Sequence, residues 1–138
     1  MATTYDDVYH RSKENPEAFW ASAAEAISWD RRWQTIRDDA HPPFHRWFVG
    51  GALNTSSNCL DRHIERGRGK QIALIYDSPV TNTSRQFTFN ELRAEVEKAA
   101  GALVAQNIRP GDRVVIYMPM IPEAVIGMLA CARVGAVH

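Results

Sequence analysis

The stretch Gly111–His138, GDRVVIYMPMIPEAVIGMLACARVGAVH, decides the fold class of this chain. Its continuous apolar run, Val114–Tyr117, predicts a strand in a sheet that is covered on both faces. After a loop rich in proline and methionine, Glu123 begins a helix that Gly135 ends. Ala136–His138 then has the pattern of a new strand, and the order strand, helix, strand predicts parallel pairing in an α/β layer. The inward face of the helix is predicted to carry Val125, Met128, Leu129 and Ala132.

The end of this stretch predicts that the sheet continues in a longer polypeptide. A core strand that begins directly after a helix would be left unfinished at His138. We therefore expect the sequence to be truncated before its sheet is complete. The alternative is a complete small α/β protein that closes its sheet with very few strands.

A hairpin and a long helix are predicted before this stretch. Ile72–Tyr76 and Arg85–Thr88 have the composition of strands, and the polar residues between them favour a turn. Thr88 and Glu91 predict a capping box at the start of the helix, which Asn107 ends. The apolar face of this helix is predicted to consist of Leu92, Val96, Ala99, Ala100, Leu103 and Val104.

The first part of the chain is rich in large aromatic rings. Asn15 can cap a helix that begins at Pro16. Three of the four tryptophans precede residue 35, and the fourth is Trp47. Rings in such irregular sequence are typical of an arm that buries them against a larger body, and ligand stacking is the alternative. The apolar stripe of the first helix is predicted to comprise Phe19, Trp20, Ala23, Ala24 and Ile27.

Two polar clusters follow the aromatic part. A short helix around Leu60 is predicted to end at the glycines 67 and 69. Its Asp61-Arg62-His63 cluster is expected to cap the helix and form ion pairs, and catalysis is the alternative. The segment Gly67–Lys70 places basic side chains beside flexible backbone, which can attract a phosphate. Its place between a helix and a strand favours an ordinary turn.

Composition and motifs exclude several classes of function. The 138 residues carry sixteen acidic and sixteen basic side chains, so no broad positive field exists for nucleic acid or an anionic membrane. Cys59 and Cys131 are too far apart for a zinc motif and are predicted to be reduced, buried thiols. An acidic N-terminus and the lack of an apolar run of ~20 residues predict a cytoplasmic protein without a signal peptide or membrane span.

No catalytic motif occurs in the sequence. There is no GxxxxGK[ST] loop, no GxGxxG after a strand, no GxSxG and no HExxH. The five histidines are scattered, and His10, His41 and His45 are predicted to lie in exposed loops. We therefore predict no catalytic residue and no metal site, and motifs alone assign no reaction.

Several strings resemble the short-chain acyl-CoA synthetases. They are YDDVYHRSKENPEAFW from Tyr5, RWFVGGALNTSSNCLDRHIE from Arg46, IALIYDSPVTNT from Ile72 and YMPMIPEAVIGMLACARVGAVH from Tyr117. They span nearly the whole chain in the order and spacing of that family. The joint occurrence of the second and fourth strings is specific for it. IYDSPVTNT is more similar to the propionyl-CoA synthetase branch than to the acetyl-CoA synthetase branch.

This resemblance implies the N-terminal part of an AMP-forming acid–thiol ligase. A carboxylate attacks the α-phosphorus of MgATP to give an acyl-adenylate and pyrophosphate, and coenzyme A then displaces AMP. ATP, Mg²⁺ and coenzyme A are thus implied for the whole enzyme, with propionate or acetate as substrate. None is expected to bind this chain, because the family's phosphate loop and mobile C-terminal domain lie downstream. The remainder of its own polypeptide is the expected partner.

The resemblance also implies a division of the chain and a place for the ligand. Residues 1–67 would form a helical, tryptophan-rich arm, and residues 68–138 the beginning of the AMP-binding domain with its parallel sheet. Met118, Pro119 and Met120 follow a predicted parallel strand, where α/β sheets bind ligands, and are predicted to border the substrate crevice. A packed loop is the alternative. The alternative functions are an acetate-CoA ligase, a non-enzymatic interaction module and a more distant adenylate-forming relative.

Overall fold

Two consecutive helices open the part of the chain that the structure, a computed structural model, describes, namely residues 4–138. α1 spans Tyr5–Glu14, and α2 spans Pro16–Ala24. The Asn15 side chain accepts a hydrogen bond of 3.1 Å from the Ala18 amide, so the predicted cap is confirmed. α1 has no counterpart among the predicted helices, because its polar sequence lacks an apolar stripe.

The apolar stripe predicted for α2 is only partly buried. Ala24 is buried, whereas Trp20 is 45% exposed. Ile27 lies beyond the end of the helix and is 41% exposed. The last position of the predicted stripe is therefore wrong, because the helix stops before the apolar pattern does.

A short hairpin follows in the same unit. β1 spans Thr35–Asp38 and pairs antiparallel with β2, Arg46–Val49. The rings of Trp29, Trp33 and Phe48 pack on one another beside it, with centroids 4.9 to 5.4 Å apart. No pattern in the sequence predicts this hairpin. Burial of these rings against a larger body stays a prediction, since the contacts described lie within this unit.

The second unit begins at Asn54 and opens with two short helices. α3 spans Thr55–Cys59, and α4 spans Asp61–His63. A π-helical turn, Ile64–Arg68, follows and reverses at Gly67, whose φ is +80°. Only glycine adopts this conformation at no steric cost, and the predicted helix stop is thus confirmed.

The predicted hairpin and long helix are both present. β3, Ile72–Ser78, pairs antiparallel with β4, Thr83–Thr88, and α5 spans Phe89–Ala105. The Thr88 hydroxyl accepts the Glu91 amide at 3.2 Å, and the Glu91 carboxylate accepts the Thr88 amide at 2.8 Å. These contacts confirm the capping box. The core of this unit consists of Leu60, Phe87, Leu92, Val96, Ala100 and Ala130.

The predicted strand Val114–Tyr117 is extended but is not covered on both faces. Val115 is 91% exposed and Tyr117 is 99% exposed, so the prediction of a fully buried strand is wrong for this chain. The segment pairs through one parallel bridge, between Arg113 and Val137. No second strand pairs with it among residues 4–138, and a strand needs partners and covering layers to bury both faces. The single bridge nevertheless has the predicted parallel direction.

The final helix has the predicted bounds but a different buried face. α6 spans Pro122–Val134, and Gly135 ends it with a φ of +79°. Its buried residues are Pro122, Ala124, Ala130 and Cys131. Of the predicted inward residues, Met128 is 40% exposed. Val104 of α5, also predicted to face inward, is 57% exposed. The small residues are buried because α6 packs closely against α3 and α5.

Candidate functional site

The loop Met118–Met120 joins the extended segment to α6 and lies at the surface. Met118 is 53% exposed and Met120 is 88% exposed. The loop ends in a turn in which the Ile121 amide donates to the Pro119 carbonyl oxygen at 2.9 Å. The three residues of the predicted crevice border are therefore available to a ligand or to further polypeptide.

A broad concavity begins directly after this loop. It has a volume of about 620 Å³ and lies between the turn of the β3–β4 hairpin and the first turn of α6. Tyr76 and Thr81 line its hairpin side, and Ile121 and Pro122 line its helix side. The hairpin contributes polar side chains there because its turn and the start of β4 consist of Thr81, Asn82, Thr83 and Ser84. The predicted border residues stand next to this space in sequence but do not line it.

The polar groups of the concavity are paired with each other. Arg85 Nη1 lies 3.4 Å from Glu123 Oε1, which ties the hairpin to the start of α6. The hydroxyl oxygens of Thr81 and Thr83 are 2.7 Å apart. Such groups can bind a polar ligand. Among the residues that line the concavity, none is a nucleophile hydrogen-bonded to a base.

A second depression in the same unit is almost wholly apolar. It has a volume of about 290 Å³ and is lined by residues of β3, α5, α6 and the end of α3, including Leu74, Phe89, Leu92 and Leu129. Val125, Met128 and Leu129, three of the four residues predicted to face inward on α6, line this groove. The predicted apolar face of α6 thus borders an open groove at the edge of the core, where Leu129 is partly buried against the core residues.

The two cysteines differ in burial. Cys131 is buried, and burial raises the pKa of its thiol. Cys59 is exposed at the rim of the apolar groove, so the prediction of two buried thiols is wrong for this residue. α3 ends at Cys59, and a helix end is less covered than a helix centre. Both thiols are free, as predicted.

The Asp61-Arg62-His63 cluster has a structural role. Arg133 donates to both carboxylate oxygens of Asp61, at 2.8 and 3.0 Å, and to Glu97 at 3.1 Å. The hydrogen bonds from Arg133 hold the pKa of Asp61 below its ordinary value. The predicted ion pair is confirmed. Its partner lies 72 residues away, so no local pattern identifies Arg133.

His63 is shielded and surrounded by cations. Burial lowers its pKa, and the charges of Arg68, Arg62 and Arg66 lower it further. Its ring packs on Phe89, with centroids 5.0 Å apart. The lowered pKa favours the neutral ring, and the catalytic alternative for this cluster stays untested.

The part of the chain that the structure describes has neither a metal-binding cluster nor a membrane-spanning helix. Within residues 4–138, no three or more His, Cys, Asp or Glu side chains are grouped so that they could hold a metal ion. In the same range, no helix is both long enough and apolar enough to cross a bilayer. The side chains that this structure describes therefore do not fit a Mg²⁺ ion.

Comparison with known proteins identifies two families along the chain. Residues 5–59 match the family described as acetyl-coenzyme A synthetase N-terminus. Residues 60–138 match the family described as AMP-binding enzyme. The first match ends near the boundary between the two structural units, at Leu53 and Asn54. A domain boundary after residue 67 stays a prediction.

Individual relatives agree with these matches. The chain is 54% identical over 134 residues to the human protein named acyl-CoA synthetase short-chain family member 3, mitochondrial, covering 97% of the chain and 20% of that protein. It is 48% identical over 136 residues to acetyl-coenzyme A synthetase of Magnetococcus marinus, covering 97% of the chain and 21% of that protein. The chain thus spans about a fifth of the length of the curated relatives it matches.

A solved structure confirms the fold class. Acetoacetyl-CoA synthetase from Streptomyces lividans superposes with a TM-score of 0.85 at 32% identity, covering 99% of this chain and 21% of that one. The likeness extends over the helical tryptophan-rich part and the hairpin and helices that follow it. Together, these matches show that the chain belongs to the AMP-binding enzyme family, and that its first part matches the acetyl-coenzyme A synthetase N-terminus.

Proposed function

We propose that this chain is the N-terminal part of a ligase that joins propionate, or a similar short-chain carboxylate, to coenzyme A with consumption of ATP. The observation that carries the proposal is the 54% identity over 97% of the chain with a relative whose name specifies a short-chain acyl-CoA synthetase. The string IYDSPVTNT, in β3 and the hairpin turn, supports propionate. The 48% identity to an acetyl-coenzyme A synthetase supports acetate as the second candidate substrate.

The proposed reaction has two group transfers. A carboxylate oxygen forms a bond to the α-phosphorus of ATP as the bond to pyrophosphate breaks, which gives an acyl-adenylate. The sulfur of coenzyme A then forms a bond to the acyl carbon as the bond to AMP breaks, and the thiol proton is lost. Mg²⁺ is proposed as the phosphate counter-ion of the whole enzyme, and none of this chain's described residues is assigned to it.

The contribution of this chain is proposed at Met118, Pro119 and Met120. They lie exposed after an extended segment with a parallel bridge, and ligands of parallel sheets bind beyond the carboxyl ends of strands. Apolar side chains there would exclude water from a reactive mixed anhydride. We therefore assign these three residues to the border of the substrate crevice, and no catalytic step to any residue of the chain.

The experiment is a thioester assay on the full-length protein that contains this chain. Production of AMP and acyl-CoA is measured with acetate, propionate and butyrate. We expect the highest kcat/KM for propionate, with discrimination of about tenfold per methylene group. A higher kcat/KM for acetate would make acetate the proposed substrate in place of propionate. A full-length protein that forms no acyl-CoA from any of these acids would contradict the proposal.

The same assay tests the crevice border. Met118→Ala with Met120→Ala should lower kcat/KM by about tenfold, because about two buried apolar contacts with the substrate side are lost. Met128→Ala is the matched control, since Met128 lies on α6 in the apolar groove. Equal losses in the two variants would show that the loop has only a packing role.

A cytoplasmic location belongs to the same proposal. The relative named above is called mitochondrial, so the two locations compete. Fractionation of the source cells, followed by detection of the full-length protein with an antibody, distinguishes them. Recovery in an organelle fraction would overturn the cytoplasmic assignment and leave the proposed reaction unaffected.

A further inference from the structure

Positive charge is concentrated in one short segment of an otherwise neutral chain. Residues 62–70, RHIERGRGK, carry four cations, Arg62, Arg66, Arg68 and Lys70, against the single carboxylate of Glu65. The whole chain has sixteen cations and sixteen acidic side chains. A segment of this charge attracts anions unless neighbouring carboxylates neutralise it.

The neighbouring carboxylates that the structure describes form no ion pair with Arg66 or Lys70. Within the described part of the chain, neither Arg66 nor Lys70 takes part in an ion pair or a side-chain hydrogen bond, and Glu65 forms no ion pair either. Asp61, the preceding acid, is already bound through both oxygens to Arg133. The positive charge of the segment also acts on His63, whose pKa is lowered by burial and by the surrounding arginines.

The guanidinium of Arg68 is held in a defined orientation. It lies over the ring of Phe89, 5.4 Å from its centroid. Its Nε donates to Gln71 Oε1 at 2.6 Å, and its Nη1 lies 3.0 Å from His63 Nδ1. Arginine can only donate, so His63 Nδ1 accepts and the ring proton is on Nε2. The second amino group of Arg68 and the Nε2–H of His63 remain as donors.

The backbone leaves the outer side of this turn open. Gly67 has a φ of +80°, and a β-carbon placed on it would have no heavy atom within 4 Å. Gly69, in contrast, is buried against Asn90, which fixes the far side of the turn. The turn is therefore anchored on one side and accessible on the other.

We propose that the basic turn, Arg66–Lys70 together with His63, is a binding site for the phosphate group of a small ligand. The remaining amino group of Arg68 and the Nε2–H of His63 can each donate a hydrogen bond to an oxygen of the phosphate, and the charged guanidinium makes its bond a strong one. Because Arg68 is already oriented by its contacts, little side-chain entropy is lost on binding. Arg66 and Lys70 supply charge, and the open side at Gly67 admits the anion.

The test is a titration of the 138-residue chain with inorganic phosphate and with pyrophosphate at low ionic strength, observed by NMR at the His63 ring and the Arg68 side chain. We expect saturable shifts at both residues, and tighter binding of pyrophosphate. Arg66→Ala should weaken binding about tenfold, in keeping with the loss of one charge-assisted contact. Arg66 makes no contact that the fold requires, so this variant reports on binding alone.

Two further variants complete the test. Arg68→Lys keeps the charge but loses the planar guanidinium that Gln71, His63 and Phe89 orient, and should also weaken binding about fivefold. Arg109→Ala is the matched control, since this exposed side chain makes no ion pair and lies in the same unit. Equal loss with Arg109→Ala, or binding of a hexaglutamate peptide as tightly as pyrophosphate, would reduce the site to general electrostatic attraction. Absence of shifts at His63 and Arg68 would overturn the proposal.

Discussion

Asp61 and Arg133 illustrate how single side chains connect distant parts of the second unit. Their side chains are 20% and 23% exposed, so water screens the pair only partly. Arg133 also contacts Glu97, which links α4, α5 and α6 through one guanidinium. Removal of one partner leaves the other charge unpaired in a partly buried environment, and this is the main cost of breaking such a pair.

We expect Asp61→Asn to lower the free energy of unfolding by about 2 kcal/mol at neutral pH, less than for a fully buried pair because of the residual exposure. Urea denaturation of the chain measures the difference. Glu123→Gln is the control, since the Arg85–Glu123 pair is about half exposed and should contribute less than about 0.5 kcal/mol. Equal losses of stability in the two variants would show that the partly buried Asp61–Arg133 pair stabilises the chain no more than an exposed pair does.

The pH dependence of this pair follows from the direction of the pKa shift. The folded-state pKa of Asp61 lies below its ordinary value of 3.8. As the pH falls, the unfolded chain therefore binds the proton first. The stabilisation by the Asp61–Arg133 pair is present above that value and is lost as the pH falls through the lower folded pKa. The difference between the native chain and Asp61→Asn should be constant at neutral pH and should shrink below pH about 4.

Among the secondary-structure elements, α5 owes its first turn to local sequence. The Thr88 hydroxyl and the Glu91 carboxylate satisfy amides that the helix leaves unpaired. Thr88→Ala should destabilise the chain by about 1 kcal/mol, as measured by urea denaturation. Thr81→Ala is the control, because the hydroxyl of Thr81 contacts only that of Thr83 and the residue is in an exposed turn. Unchanged stability in Thr88→Ala would show that tertiary packing alone maintains the helix.

The elements that the sequence predicted well are those with strong local signals. These elements are the β3–β4 hairpin, α5 and α6, which begin or end at glycine, proline or capping residues. Such residues act on backbone that is only a few positions away. α1 and the β1–β2 hairpin were not predicted. α1 has a polar sequence, and the four-residue strands are stabilised by rings such as Trp29 and Phe48, which are 19 residues apart.

At the scale of the whole molecule, the extended segment before α6 has an unpartnered apolar side. Val115 and Tyr117 are almost fully exposed, and beyond the bridge at Arg113 no backbone pairing is described for them. Edges of this kind pair with other chains unless something covers them. The second unit by itself therefore presents a surface that favours association.

We expect the 138-residue chain to self-associate through this segment, and Val115→Lys to weaken the association about tenfold or more, because a charge on a strand edge opposes pairing. Analytical ultracentrifugation measures the change. Val80→Lys is a matched control, since Val80 is 92% exposed in the hairpin turn. A compact monomer that melts cooperatively would instead favour the interaction-module alternative.

The concavity beside α6 should bind neither ATP nor coenzyme A in isothermal titration, because it is open and its Arg85 and Glu123 side chains are paired with each other. Micromolar affinity for ATP would place a nucleotide site within these residues. Binding of the phosphate groups of ATP or coenzyme A at the basic turn is a separate result. Arg66→Ala identifies it, because this variant should weaken binding at the turn alone.

Local patterns in the chain were sufficient for the order of the main elements, their capping residues and the resemblance to the acyl-CoA synthetases. These features depend on backbone geometry and on residues close in sequence. Packing alone decided that Ala124 rather than Met128 is buried on α6, that Cys59 is exposed, and that Asp61 meets Arg133. Such outcomes depend on how helices approach each other across many residues, and the 3.6-residue period of a single helix does not contain that information.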